Sequence, residues 1–222
     1  MKLIRQLVSI FSILTSSAAS AAEPEDNKLK LGYEMQEAIL KSQDVRKVQD
    51  LLTLGIDINA PIGCGTFGPL DGAVHTQNVV MLRFLLAHGA KPRGRELADA
   101  AFASGHQQAF EMVRVFLDAG VEPNTRNDYS TPLIHATYRE NIELIRLLLS
   151  QLGIKLDETD VDGYTALMCA VKHGSSKIVD MLLHAGASTT ITNKRGETAA
   201  SIAQQEIEKQ RTILSKLNLT PK

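Results

Sequence analysis

Three patterns in this 222-residue chain carry the letters of chemistry, and each has to be weighed against its surroundings. Gly63-x-Gly65-x-x-Gly68 has the spacing of a dinucleotide fingerprint. There, glycines let the backbone approach a pyrophosphate at a helix N-terminus, but only inside a strand-helix-strand unit. Here the flanks read as Leu-rich helices, so the letters do not make a nucleotide site. The six histidines, His75, His88, His106, His135, His173 and His184, never stand at zinc-ligand spacing with Cys, Asp or Glu. Ser, His and Asp occur without a nucleophile elbow or a triad context. No catalytic residue, no metal and no cofactor is therefore expected, and the chemistry left is recognition.

The elements that would position recognising side chains follow one repeating order. A Gly closes a Leu-rich helix at Leu54-Gly55, His88-Gly89, Ala119-Gly120, Leu152-Gly153 and Ala185-Gly186, at intervals of 34, 31, 33 and 33 residues. A constant interval near 33 marks a stacked helical repeat. Within a period, Thr131-Pro132-Leu133 opens a first helix, since Thr can cap it and Pro is tolerated in its first turn. Thr165-Ala166-Leu167 and Thr198-Ala199-Ala200 fall in the same register. A small residue follows on each first helix, Ala73, Ala101, Ala136, Ala170 and Ala203, where neighbours must approach closely. That helix ends near Gln43, Gln77, Gly105, Glu140 or Gly174. A second helix then carries apolar residues at helical spacing, such as Val79, Leu82, Leu85 and Leu86. The closing Gly suits a left-handed cap. A polar turn after it, such as Glu122-Pro123-Asn124, reads as one arm of a projecting hairpin.

These residues resemble the ankyrin repeat family. Asp162-Gly163-x-Thr165-Ala166-Leu167-x-x-Ala170-x-x-x-Gly174 is the nearest copy of its pattern, and Asp128-x-x-Thr131-Pro132-Leu133-x-His135-Ala136 the second. The resemblance covers roughly residues 34 to 217. It implies an all-α solenoid of about six helix-turn-helix units with projecting hairpin loops, the domain spanning 33–219. The third unit departs from the pattern: Glu96-Leu97-Ala98 replaces the Thr-Pro opening, and 15 residues separate Gly105 from Gly120 against 12 between Gly174 and Gly186. One extra helical turn is expected there, around Gln107 to Met112. The polar helix Glu206 to Arg211 reads as a solvent-facing end. Stacked helices stand about 10 Å apart, so Cys64 and Cys169, three repeats apart, lie beyond disulfide reach. Cys169 is expected as a small buried residue, and Cys64 as an exposed thiol, free or reactive towards a partner.

In this family the hairpin tips and the exposed side of each first helix form a concave groove that binds other proteins. By register, that side carries Phe67, Arg93, Arg95, Tyr129, Tyr138, Arg139, Tyr164, Lys172, His173 and Arg195 as partner-binding candidates. Tyr and Arg dominate protein–protein hot spots. The face reads as basic and aromatic on a chain of formal net charge −1, which does not suit a nucleic-acid binder.

Residues 1–21 read as a signal peptide: Lys2 and Arg5, an apolar run from Leu7 to Leu14, then Ser and Ala with a cleavage site near Ala21/Ala22. The run is shorter than the ~20 residues of a membrane span, and no Cys follows it for a lipid anchor. Residues 22–32 read as a flexible polar lead-in. The expectation is an exported protein of bacterial type, periplasmic or secreted, monomeric, with no membrane span in the mature chain. Its expected work is binding a partner protein in the groove. The alternative is an accessory or immunity factor that modulates a periplasmic enzyme or toxin.

Overall fold

Gly at each 33-residue interval ends a helix, and in the computed structural model all five closing glycines (Gly55, Gly89, Gly120, Gly153 and Gly186) have φ between 73° and 95°. The structure describes residues 30–62, 67–103 and 105–218. Eleven helices occur among them: α1 (30–40), α2 (Val45–Thr53), α3 (Pro69–His75), α4 (Val79–Ala87), α5 (Arg95–Ala101), α6 (His106–Asp118), α7 (Pro132–Tyr138), α8 (Ile142–Leu149), α9 (Ala166–His173), α10 (Ser176–His184) and α11 (Ala199–Asn218). They form five helix pairs and a terminal α11, the all-α ankyrin-repeat architecture of about six units. α1 already includes residues 30–32, ahead of the expected domain start at 33. The expected signal peptide and Cys64 lie outside the described residues.

The turn inside each pair is built by one device. Gln43, Gln77 and Glu140 take φ of 52–54°, and an Asx follows each to cap the next helix. Asp44 accepts from the Arg46 and Lys47 amides, Asn78 from Met81 and Asn141 from Leu144. In the fifth unit Gly174 takes the left-handed turn, with φ of 72°. Thr165 caps α9 by accepting from the Met168 amide. Thr131 makes no such bond, and Pro132 begins α7 with its fixed φ.

The third unit has no Asx at this N-cap. Gly105 is not left-handed but extended (φ −87°), and it serves as N-cap of α6. α6 then runs 13 residues where the other second helices run 8 or 9. The expected extra turn is there. The Asn141 amide group donates to the His106 carbonyl at 2.9 Å, tying that turn to the fourth unit.

Packing makes two rows. First helices α3, α5, α7, α9 and α11 touch in succession, second helices α2, α4, α6 and α8 do likewise, and the pairs α3–α4, α5–α6, α7–α8 and α9–α10 each close against themselves. The alanines at the tight approach, Ala73, Ala101, Ala136 and Ala170, are buried. Ala203 is half-buried. Leu82, Leu85, Phe116, Leu144, Ile145, Leu148, Ile178 and Leu182 fill the space between rows.

The hairpins stack as well. Asn127, Asp160 and Asn193 recur at the 33-residue interval, and each side-chain oxygen accepts two amides of its own tip. Neighbouring tips share backbone bonds, Val161 N–H to the Tyr129 carbonyl at 3.0 Å and Lys194 N–H to that of Asp162 at 3.1 Å. A further brace passes forward from unit to unit: Asn59, Asn124 and Asp157 accept from the Lys91, Lys155 and Ser188 amides. Gly163, at φ 84°, lies so close to the next tip that a Cβ there would stand 2.8 Å from the Lys194 amide nitrogen.

Candidate partner-binding face

The C-terminal ends of α5, α7 and α9 bring aromatic and cationic side chains together across three units. Phe102, Tyr138 and His173 form a ladder: Phe102 to Tyr138 at 6.2 Å between ring centres, Tyr138 to His173 edge-on at 5.1 Å. The Arg139 guanidinium lies 4.0 Å over the Phe102 ring, and its Nε donates to the Phe102 carbonyl at 3.0 Å. Phe102 and Tyr138 remain 41% and 54% exposed. These positions are exposed because the inward side of each first helix is already filled by its Ala and Leu.

Phe102 was not among the sequence candidates. It occupies the register of Tyr138 in the third unit, where the missing Thr-Pro opening hid the alignment. Tyr129 stands on a hairpin tip at 66% exposure. Phe67 is exposed at the far end of the face, edge-on to His75 at 6.3 Å. Arg195 is exposed on the last tip, its amide donating to Asn193. Tyr164 is a correction: it is buried at 8% exposure, its backbone N–H held by Asp160, and the Lys172 ammonium sits 4.7 Å above its ring. Its ring packs the loop, and the available group at that place is Lys172.

The basic character of the face is also corrected. Arg93 pairs with Asp71 at 3.7 Å, and Arg95 with Asp99 at 3.4 Å and Asp128 at 3.6 Å. Those carboxylates come from positions one helical turn away or in a neighbouring unit, which the linear charge pattern did not bring together. Between these pairs and the ladder lies a cleft of about 350 Å³, lined by Phe67, His75, Arg95, Asp99, Phe102 and Arg139 among others.

Under the ladder sits a polar network. The Asn127 amide group donates to Asp99 Oδ1 at 2.8 Å, which leaves Asn127 Oδ1 as acceptor for His135 Nε2 at 3.2 Å. His135 is therefore the Nε2–H tautomer. Burial lowers its pKa to about 4, with Asp99 opposing and Arg139 reinforcing, so the ring is neutral near pH 7. Burial likewise pushes the Cys169 thiol up to about 12, which keeps it protonated and unreactive. Hydrogen bonds from Asn193 and then Gln205 hold Glu197 below its ordinary range. Among the described residues no three His, Cys, Asp or Glu side chains gather as ligands for a metal ion, and no helix is long and apolar enough to cross a membrane.

Comparison with known proteins agrees with this geometry. The family model of ankyrin repeats, in three copies, matches residues 97–193. A 118-residue stretch is 34% identical to the ANK repeat-containing protein nipk-1 of Caenorhabditis elegans, covering 46% of this chain and 19% of that protein. The chain thus spans a small part of that relative's length. Among solved structures, the ankyrin repeat protein EF0377 superposes with a TM-score of 0.68 at 25% identity, covering 85% of this chain and 98% of the other. A chain of the complex between the predatory endopeptidase Bd0816 of Bdellovibrio bacteriovorus and immunity protein Bd3460 superposes with a TM-score of 0.65 at 25% identity, covering 79% and 93%. Periodicity, stacked hairpins and these matches together show an ankyrin-repeat fold, with ankyrin repeats recognised in sequence over residues 97–193.

Proposed function

We propose that the chain is a rigid, non-catalytic binding module that holds a partner protein against the face formed by its hairpin tips and first helices. The observation that carries this reading is the exposed ladder of Phe102, Tyr138 and His173, flanked by Tyr129 and Arg139. Large apolar rings held by their neighbours lose little conformational freedom on binding, which is the property of interface anchors. The test is the double variant Tyr129→Ala/Tyr138→Ala. Both rings are exposed, so folding should be unchanged. Capture of partners from an envelope extract should fall by at least about tenfold, and undiminished capture would sink the assignment of this face.

A second reading has one specific support. The structural likeness to a chain of the endopeptidase–immunity protein complex favours a partner that is an enzyme whose activity the bound repeat alters, in the manner of an accessory or immunity factor. Export by residues 1–21 is part of both readings and rests on their composition. A reporter fused to the whole chain should reach the periplasm, and one fused to residues 22–222 should not; equal export of both would refute it.

A further inference from the structure

We infer that the cleft between Phe67 and Arg139 receives an acidic side chain of the partner, set beside a large apolar one, and that Arg139 is the group that holds the carboxylate. The inference rests on the reading that a partner docks on this face, and it names the chemistry the partner must bring.

Every carboxylate bordering the cleft is already engaged. Asp71 accepts the Gly68 amide at 2.6 Å and pairs with Arg93. Asp99 accepts from Asn127 and pairs with Arg95. Arg95 has Asp99 and Asp128. Arg139 differs. Among the described residues no carboxylate oxygen lies within 4.0 Å of it. Its Nε is committed to the Phe102 carbonyl and its plane to the Phe102 ring. Those two contacts fix the orientation of the guanidinium and leave its two terminal nitrogens, the pair whose geometry matches a carboxylate, with no acceptor in the described structure. An Arg held this way gives up little rotamer freedom on binding. His135, buried beneath and neutral, adds no competing charge.

The walls define the other half of the ligand. Phe67, Val74, Phe102 and Ala103 supply apolar surface, and a volume of about 350 Å³ is room for one or two residues. The partner segment that satisfies both is a Glu or Asp adjacent to a residue such as Leu. A chain of net charge −1 offers no general attraction to acidic peptides, so a preference for one has to arise locally.

The test is nuclear magnetic resonance titration of the ¹⁵N-labelled chain with short peptides acetylated and amidated at their ends. One contains a Glu-Leu pair, the second Gln-Leu, the third Glu-Ser, and a fourth carries Gln-Leu with a free C-terminal carboxylate. The Glu-Leu peptide should shift the Phe102 and Ala103 amides and the Arg139 Nε–H, and bind at least about fivefold more tightly than the Gln-Leu or Glu-Ser peptides. Arg139→Gln should erase the preference for Glu over Gln, and Arg139→Lys should leave only part of it. The inference is overturned by equal binding of Glu-Leu and Gln-Leu, by no binding, by shifts away from the cleft, by tighter binding of the free C-terminal carboxylate, or by a five-thymidine oligonucleotide that shifts the same signals at lower concentration. If Tyr129→Ala/Tyr138→Ala abolishes partner capture while Arg139→Gln leaves it intact, the carboxylate inference falls and the assignment of the face survives.

Discussion

Tyr164 and Phe102 show what one residue's register does and does not reveal. A 33-residue period assigns each position a place in the unit, and Tyr129 and Tyr138 are exposed where it put them, while Arg139 is half-buried against Phe102. It could not foresee that Lys172, eight residues on, folds back over the Tyr164 ring. It also missed Phe102, because the third unit lacks the Thr-Pro marker that anchors the alignment elsewhere. His135 carries the prediction at this scale. Its pKa falls from an ordinary 6.5 to about 4, so the folded chain favours the neutral ring. Stability from that preference is fully present above pH 6.5 and is lost as pH falls from 6.5 towards 4, where the unfolded chain binds the proton first. The loss should reach roughly 2–3 kcal/mol. Urea denaturation at pH 7 and pH 4.5 measures it. His135→Gln, though less stable at pH 7, should lose clearly less across the same interval, and an equal loss would mean that other groups carry the acid sensitivity.

At the scale of elements, helix pairs, closing glycines and the lengthened α6 were all readable, because each rests on local chemistry: apolar spacing, a left-handed Gly and a counted insertion. What the spacing did not disclose is how the insertion is held. Asn141 works at two ends, its Oδ1 accepting the Leu144 amide at 3.2 Å and its Nδ2 donating to the His106 carbonyl at 2.9 Å. The second bond spans 35 positions and has no local signature. Asn141→Ala removes a helix cap and the tie to the added turn together, and should cost about 1–2 kcal/mol. Hydrogen exchange should show faster opening around His106 to Ala109 as well as at Leu144. Protection lost at Leu144 alone would show that the cross-unit tie is idle.

For the whole molecule, the order of units was legible and the uneven ends were less so. α11 is 20 residues long, while α3, α5, α7 and α9 have 7 or 8. Its last dozen residues leave the stack, with Ile207, Ile213, Leu214 and Leu217 exposed. Stability in such arrays is a sum of units and their shared surfaces, and this overhang shares little. Ending the chain after Glu206 should move the melting temperature by no more than about 3 °C, since a helix of ~12 residues is marginal by itself. A larger drop would reveal a packing role for those apolar residues.

The forward-passing braces give the stack a direction. Asn59, Asn124 and Asp157 each spend a side-chain oxygen on a backbone amide of the unit that follows. Loss of a trailing unit bares an apolar face, but the acceptors it frees leave the shape of the remaining loops in place. Loss of a leading unit strips the next loop of the acceptor that shapes it. Damage therefore propagates unequally. Proteolysis or mechanical pulling should erase this protein from its carboxy end one unit at a time, each remainder keeping the acceptors that shape its own loops, whereas a cut near the amino end leaves a remainder that starts out injured.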